Sequence, residues 1–345
     1  MSAYDGRLDE GAVAMYLREN AALREALGIA CDATPVPRLL ARGEYNVNYV
    51  FAHPHTGASL LFRVNLGSQM HLKHQIEYEA RALDLLSSSG RTPRVLFVDG
   101  SRDFFGAGVL VEECLPGSSL RYESDLPEAA RILADIHSVA LPEQHGLVAP
   151  EHPLADIVRE CDQMFSVYRR SECADAETVA RVEALFAVAD EAVRQEGACG
   201  VRHIVNTELN SRNFLINKTT GGYLIDWEKP IAAPVEQDIA HFLVPTTTLW
   251  KTDTVLDHFQ HDAFIEAYCE AVGGRFDVAD VAARSKAYLA STCLRGITWC
   301  AMAFAERLSY PEKTTDAFTL ERINGYISKD FLIFIEREYF SERLL

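Results

Sequence analysis

Lysine is scarce in this chain of 345 residues: only seven of its 33 basic residues are Lys, and 50 acidic side chains leave a formal charge of -17. A basic face is what a nucleic-acid or anionic-membrane binder presents, so both classes of partner are excluded by charge. The acidity suits a cationic small molecule, and ordinary solubility explains it equally well. Eight cysteines lie scattered without a Cys-x-x-Cys pair or a Cys/His cluster at zinc spacing, which reads as reduced, mostly buried thiols. Long apolar runs are missing too. The longest candidate, Tyr288 to Leu308, is interrupted by Arg295 and Gly296, so no transmembrane helix is expected. The segment Met1 to Glu19 lacks a basic region followed by an apolar core, so no secretory signal is read there, and a cytoplasmic protein is expected. There is no internal repeat and no low-complexity tract.

What is present changes character along the chain. Residues 9 to 28 carry Val13, Tyr16, Leu17, Leu23 and Leu27 on one stripe and predict an amphipathic helix. Strand patterns follow at 38 to 43, 46 to 51 and 59 to 64, separated by turns containing Gly43 and Gly57. A helix over 74 to 86 and strands at 94 to 99 and 108 to 113 complete a small antiparallel sheet with one helix. Beyond Cys114-Leu115-Pro116-Gly117 the pattern is mainly helical, at 127 to 139, 154 to 170, 176 to 195, 255 to 271, 278 to 308 and 320 to 339. Only 201 to 227 interrupts it with strand-like pieces. The Pro-Gly pair marks a boundary, giving domains 1-113 and 114-345. Net charge is -3 over the first and -14 over the second.

The interrupting segment holds the chemistry. It reads Val205-Asn206-Thr207-Glu208-Leu209-Asn210-Ser211-Arg212-Asn213, then Ile225-Asp226-Trp227-Glu228. A carboxylate five positions before an Asn, with a second carboxylate at a strand end, meets the needs of phosphoryl transfer. One acid orients a hydroxyl, while the Asn and the second acid hold Mg²⁺ against phosphates.

This order of elements and motifs resembles the protein-kinase-like fold, and within it the aminoglycoside phosphotransferase and choline kinase superfamily, over roughly residues 36 to 245. The family's catalytic loop reads His-Gly-Asp-Leu-x-x-x-Asn; the corresponding positions here are Asn206, Thr207, Glu208, Leu209 and Asn213. Its Ile-Asp-Trp/Phe motif appears as Ile225-Asp226-Trp227, its Asp-Leu-Ala as Asp238-Ile239-Ala240, and its Leu-Ala-x-Leu-His helix as Leu133-Ala134-Asp135-Ile136-His137. The resemblance implies an α+β, two-lobed fold: a small antiparallel β-sheet N-lobe binding nucleotide, and a mainly helical C-lobe. It implies ATP or GTP as donor and Mg²⁺ on Asn213 and Asp226. Arg63 would stand where kinases place a Lys on the phosphates, with Glu79 as its partner on the following helix; Glu77 is the rival for that place. Gly43 to Asn48 would cover the phosphates, and the backbone of Glu113 to Leu115 would face the base.

Three departures cluster at the catalytic loop: Asn206 for His, Thr207 for Gly and Glu208 for Asp. The added methylene of Glu208 moves a carboxylate by roughly an ångström, and such a misplacement costs on the order of a hundredfold in rate unless the loop adjusts. The expectation is therefore a small-molecule kinase in which Glu208 accepts the acceptor's proton, with a nucleotide-binding pseudokinase as the rival. The acceptor would be aminoglycoside-like, an amino sugar or a polyol, alternatively choline, ethanolamine or a related amino alcohol. Glu228, Asp238, Trp250, Arg295, Trp299 and Glu306 are candidates to line its pocket, each with a plainer reading as core or surface. A monomer or homodimer is expected.

Overall fold

The computed structural model describes residues 8–30, 32–197, 199–309 and 317–340. The expected α+β organisation is present: a small antiparallel sheet precedes a mainly helical remainder. The chain forms two compact units that interleave in sequence. The first holds the described residues through Leu120, with Val139–Leu147 and Asn213–Pro230; the second holds Arg121–Ser138, Val148–Arg212 and the described residues from Ile231 onward. A single cut at residue 113 therefore differs from this division, because the segment carrying Asp226 joins the first unit.

In the first unit, α1 (Glu10–Glu19) and α2 (Ala21–Leu27) replace the single expected helix. Asn20 divides them. Its side-chain oxygen accepts from the Leu23 amide at 2.9 Å and caps α2, while its own amide closes α1 on the Tyr16 carbonyl. The sheet comprises β1 (Arg38–Arg42), β2 (Asn46–Ala52), β3 (Ser59–Asn65), β4 (Val95–Asp99) and β5 (Gly108–Glu113), in spatial order β1-β2-β3-β5-β4, with every neighbouring pair antiparallel. Strand periodicity sorts its side chains. Tyr49, Phe62 and Val64 enter a core with Val13, Tyr16, Leu17 and Leu23, where the Tyr16 and Phe62 rings meet edge to face at 5.6 Å. The opposite parity of β3 puts Arg63 on the face covered by α3 (Gln75–Leu86). That helix lies close to β5. A Cβ on Gly108 would stand 2.5 Å from Ile76, so no larger residue fits without moving the helix. A second small sheet orders β6 (Ser118–Ser119), β8 (Phe214–Ile216) and β9 (Tyr223–Leu224), tying the segment from Asn213 to this unit.

The second unit contains α4 (Leu126–His137), α5 (Pro153–Arg169), α6 (Ala176–Gln195), the antiparallel pair β7 (His203–Val205) and β10 (Ile231–Ala233), α7 (Glu236–Leu243), α8 (Pro245–Lys251), α9 (His258–Val272), α10 (Val281–Ser309), α11 (Ala317–Tyr326) and α12 (Lys329–Tyr339). The long α10 packs against α5, α7 and α8. Gly296 is required in it, since a Cβ there would stand 2.5 Å from the Cβ of Thr246 on α8. Two expectations change. The helix expected over 320 to 339 is two helices, because Ser328 turns extended and caps α12. The short α7 and α8 were not legible as helices, being eight and seven residues long, with α8 opening Pro-Thr-Thr-Thr. No helix among the described residues is long and apolar enough to cross a membrane.

Candidate active site

A strand position, a helix position and a loop position meet at one guanidinium in the first unit. Arg63 is the cross-strand neighbour of Asn48, whose side-chain oxygen accepts from Arg63 Nε at 3.1 Å. Its Nη1 pairs with Glu79 Oε1 and lies 3.6 Å from Asp226 Oδ1, and its Nη2 lies 4.0 Å from Glu112 Oε1. Glu112 sits on β5 opposite Leu61, two residues from Arg63 and on the same pleat face. Glu79 is the residue that turns inward; Glu77 hydrogen-bonds His74 at the surface. A fourth acid, Glu228, accepts from the Asn46 amide, and Asn46 in turn accepts from Asn65 at 2.9 Å.

Four carboxylates around one arginine leave the cluster short of positive charge. Burial works to strip the Arg63 proton, but Glu79, Glu112, Asp226 and Glu228 outweigh it and push its pKa up. Burial, aided by neighbouring acids, pushes the Glu79 carboxyl up against the pull of Arg63, and it pushes Glu112 and Glu228 to about 7. Glu79 Oε2 is buried with no hydrogen-bond partner among the described residues.

Asp226 stands on a left-handed backbone, φ +67°, with its side chain 42 % exposed. The strand end around it is pegged from both sides. The Ile225 amide donates to the Asn213 carbonyl at 2.8 Å, and the fully buried Trp227 donates its indole N–H to the Leu224 carbonyl at 3.1 Å. Asn213 and Asp226 thus belong to one locally tied structure, one offering a neutral oxygen and the other a charged one. Among the described residues no three His, Cys, Asp or Glu side chains form a ready-made metal cage. Mg²⁺ does not need one, because it takes one or two carboxylates and completes its shell with phosphate and water oxygens.

The expected covering turn and base-facing segment are both in the first unit. Gly43 donates its amide to the Asn46 carbonyl at 2.8 Å, so that N–H closes the hairpin and does not point outward. The Glu113 amide is spent on the Arg94 carbonyl and the Cys114 amide on the Ser59 carbonyl, both at 3.1 Å. The Glu113 carboxylate meets Arg94. Leu115, half-buried, is different: among the described residues neither its amide nor its carbonyl makes a hydrogen bond.

The expected catalytic loop, up to Arg212, belongs to the second unit, and Asp238 of α7 shapes it. This fully buried carboxylate accepts from the Asn206 amide at 2.8 Å and the Thr207 amide at 2.7 Å, and from His137 Nε2 at 3.2 Å; the other ring nitrogen of His137 meets the Tyr268 hydroxyl at 2.9 Å. Asp238 is therefore a brace, and its burial removes it from the acceptor-lining candidates. Asn206 accepts from the Glu208 amide at 3.1 Å, and Thr207 holds φ +69°, a conformation natural to the Gly of the resembling family. Glu208, about a third exposed, pairs through Oε1 with Arg295 of α10 at 3.2 Å, and Arg295 reaches Glu160 of α5 at 3.1 Å. His203 and His241 are hydrogen-bond partners of the His137 and Leu209 carbonyls.

Trp250 and Trp299 meet edge to face at 5.4 Å, and Trp250 also meets Tyr326 at 6.0 Å; Trp299 keeps 39 % exposure. Glu228 lies in the first unit and these rings in the second. A cavity of about 860 Å³ in the second unit, bordered by His203, Glu236, Arg284 and Tyr288, includes none of the expected site residues. Sequence reasoning missed Glu112 and Glu160, and it took in Asn46 and Asn48 only as part of the covering turn, not as side chains that hold Glu228 and Arg63. Strand parity beside Arg63 could have shown Glu112 and the inward face of Asn46 and Asn48; Glu160 carried no signal.

No family model matches the sequence, and no curated protein matches it. Solved structures are similar in fold. Choline kinase from Cryptosporidium parvum Iowa II has a TM-score of 0.67 at 14% identity, covering 98% of each chain. An ethanolamine kinase from Plasmodium vivax has a TM-score of 0.64 at 14% identity, covering 94% of this chain and 90% of that one. A spectinomycin phosphotransferase solved with ADP and spectinomycin has a TM-score of 0.57 at 15% identity, covering 91% and 94%.

Proposed function

From a protein-kinase-like fold shared with aminoglycoside phosphotransferases and with choline and ethanolamine kinases, we propose that this chain is a small-molecule kinase. It moves the γ-phosphoryl group of ATP or GTP to a hydroxyl of an aminoglycoside-like, amino-sugar or polyol acceptor. The observation that carries the reading is the convergence of Glu79, Glu112, Asp226 and Glu228 on Arg63, an over-negative cluster suited to a phosphate-bound cation.

In this reading Arg63, held by Glu79 and Asn48, grips the donor phosphates. The open amide and carbonyl of Leu115 offer the base a donor and an acceptor. Mg²⁺ on Asn213 and Asp226 would neutralise charge on the phosphate oxygens. Glu208 orients the acceptor hydroxyl; as the acceptor oxygen bonds to phosphorus and the bond to the bridging oxygen breaks, the nucleoside diphosphate leaves and the hydroxyl proton passes to Glu208. Glu228 is reassigned from the acceptor to the donor side, since its carboxylate is held by Asn46 in the Arg63 cluster. Trp299, exposed beside the partly buried Trp250, supports an amino alcohol as the second acceptor class, because a cationic headgroup binds such a ring face.

Thermal shift with Mg²⁺ and ATP, GTP or neither, followed by a screen of hydroxylated amines and sugars, tests the reading. Glu208→Gln is expected to abolish transfer while nucleotide stabilisation persists. Nucleotide stabilisation without transfer to any acceptor selects a pseudokinase, and no stabilisation at all removes the roles given to Arg63, Asn213 and Asp226.

A further inference from the structure

We infer that Arg295 is the positioning residue for Glu208: its guanidinium, anchored on α10 and braced by Glu160 of α5, holds the Glu208 carboxylate in the orientation that receives the acceptor proton. The inference rests on the kinase reading and explains how that reading tolerates a glutamate. A Glu side chain has one more freely turning bond than an Asp, and freezing it carries an entropic cost that a fixed partner meets in advance. Arg295 supplies that partner. Nη2 contacts Glu208 Oε1 at 3.2 Å while Nε contacts Glu160 Oε2 at 3.1 Å, so two nitrogens of one planar guanidinium bridge two acids.

The fork itself is fixed. Its side chain is 19 % exposed, against 34 % for Glu208 and 43 % for Glu160. The next residue, Gly296, is the place where α10 closes on Thr246, which sets the height of Arg295 along the helix. Burial works to discharge Arg295, but Glu208 and Glu160 outweigh it. Cys161 on α5 faces Arg295, and His241 on α7 faces Arg295 and Glu208 as well as Asp238.

The test compares wild type with Arg295→Met, Arg295→Lys and Glu160→Gln, using the acceptor found by screening, or nucleotide hydrolysis by water where no acceptor reacts. Arg295→Met is expected to lower kcat about 30- to 100-fold with the KM for nucleotide within about twofold. It should also move the acid limb of the pH profile upward, because the charge that favours ionised Glu208 is gone. Arg295→Lys should restore part of kcat, and Glu160→Gln should fall between Lys and wild type. A folded Arg295→Met enzyme with wild-type kcat and acid limb overturns the inference and leaves the kinase reading standing. So does a fall in kcat matched by an equal rise in nucleotide KM and not relieved by Lys. Should Arg295→Met fail to fold, Arg295→Lys decides alone, since a merely structural arginine predicts lost stability at unchanged kcat. A wild-type protein that neither transfers nor hydrolyses overturns both readings together.

Discussion

Thr207 and Asp226 both hold a left-handed backbone, at φ +69° and +67°, yet their loops reach that conformation by different means. The turn at Asp226 itself is held by near neighbours, since Trp227 buries its ring and hydrogen-bonds Leu224 three positions back and Ile225 ties to Asn213, while Gln75 and Tyr78 of α3 hold the Glu228 and Pro230 carbonyls that follow. The loop of Thr207 is held from outside, by a carboxylate on α7 that takes two consecutive amides. The turn braced by near neighbours, Ile225-Asp226-Trp227, matches the resembling family unaltered. A loop shaped by another segment can change, and here three adjacent letters differ.

Removing the external brace should have the largest effect. Asp238→Ala leaves two buried amides and the His137 N–H without their acceptor, at about 1–3 kcal/mol for each amide, so roughly 2–6 kcal/mol of unfolding free energy is expected to disappear. Urea denaturation measures it. Nucleotide-dependent stabilisation, which the proposed function assigns to the other unit, should persist in the variant at low temperature. A loss under about 1 kcal/mol would mean that the loop supports itself after all, and the contrast between the two loops would dissolve.

The charged cluster in the first unit offers a sharper test, because its pH dependence runs opposite to that of an ordinary ion pair. Glu112 is pushed up to about 7 by burial, beyond what Arg63 can offset. In the unfolded chain it titrates near 4.3. Between those values the unfolded chain loses its proton while the folded protein keeps it, so the stability Glu112 contributes is full below about pH 4 and is lost as pH rises toward 7. Glu112→Gln removes that penalty. The variant should be more stable than wild type by roughly 1–3 kcal/mol at pH 8, with the gap closing toward pH 4.5, as read from denaturation midpoints across pH. A variant less stable than wild type at pH 8, with the deficit shrinking on acidification, would show that Glu112 serves Arg63 as a plain salt bridge.

How much of this was legible depended on whether a residue's role is local in sequence. Strand alternation and turn residues marked all five strands of the first sheet, and α3 was visible by its stripe, because each signal lies within a dozen residues. Arg63 and Glu79 were found by position in that order. Glu112 was overlooked although parity with Arg63 could have shown it, since an acid near a strand end reads as surface. Asp238 stood out as a motif but in the wrong role, because nothing in Asp-Ile-Ala says that a carboxylate will turn inward to two amides 31 and 32 residues earlier. The pairing of Arg295 with Glu208 spans 87 residues and depends on the closeness of α10 to α8, for which Gly296 was the only hint; it read as an interruption of an apolar run.

The smallest expected effect concerns the strain itself. A β-branched residue in the left-handed region costs about 1–2 kcal/mol, which glycine avoids, while glycine loses roughly 0.5–1 kcal/mol through the greater freedom of the unfolded chain. Thr207→Gly should therefore stabilise the protein slightly, by about 0.5 kcal/mol, with kcat unchanged because Asp238 still takes the residue 207 amide at the same place. Destabilisation beyond about 1 kcal/mol would locate the value of Thr207 in its side chain rather than its backbone. The three altered letters would then be a repacked loop with its own contacts, and the division between a locally held and an externally held loop would have to be redrawn around Thr207.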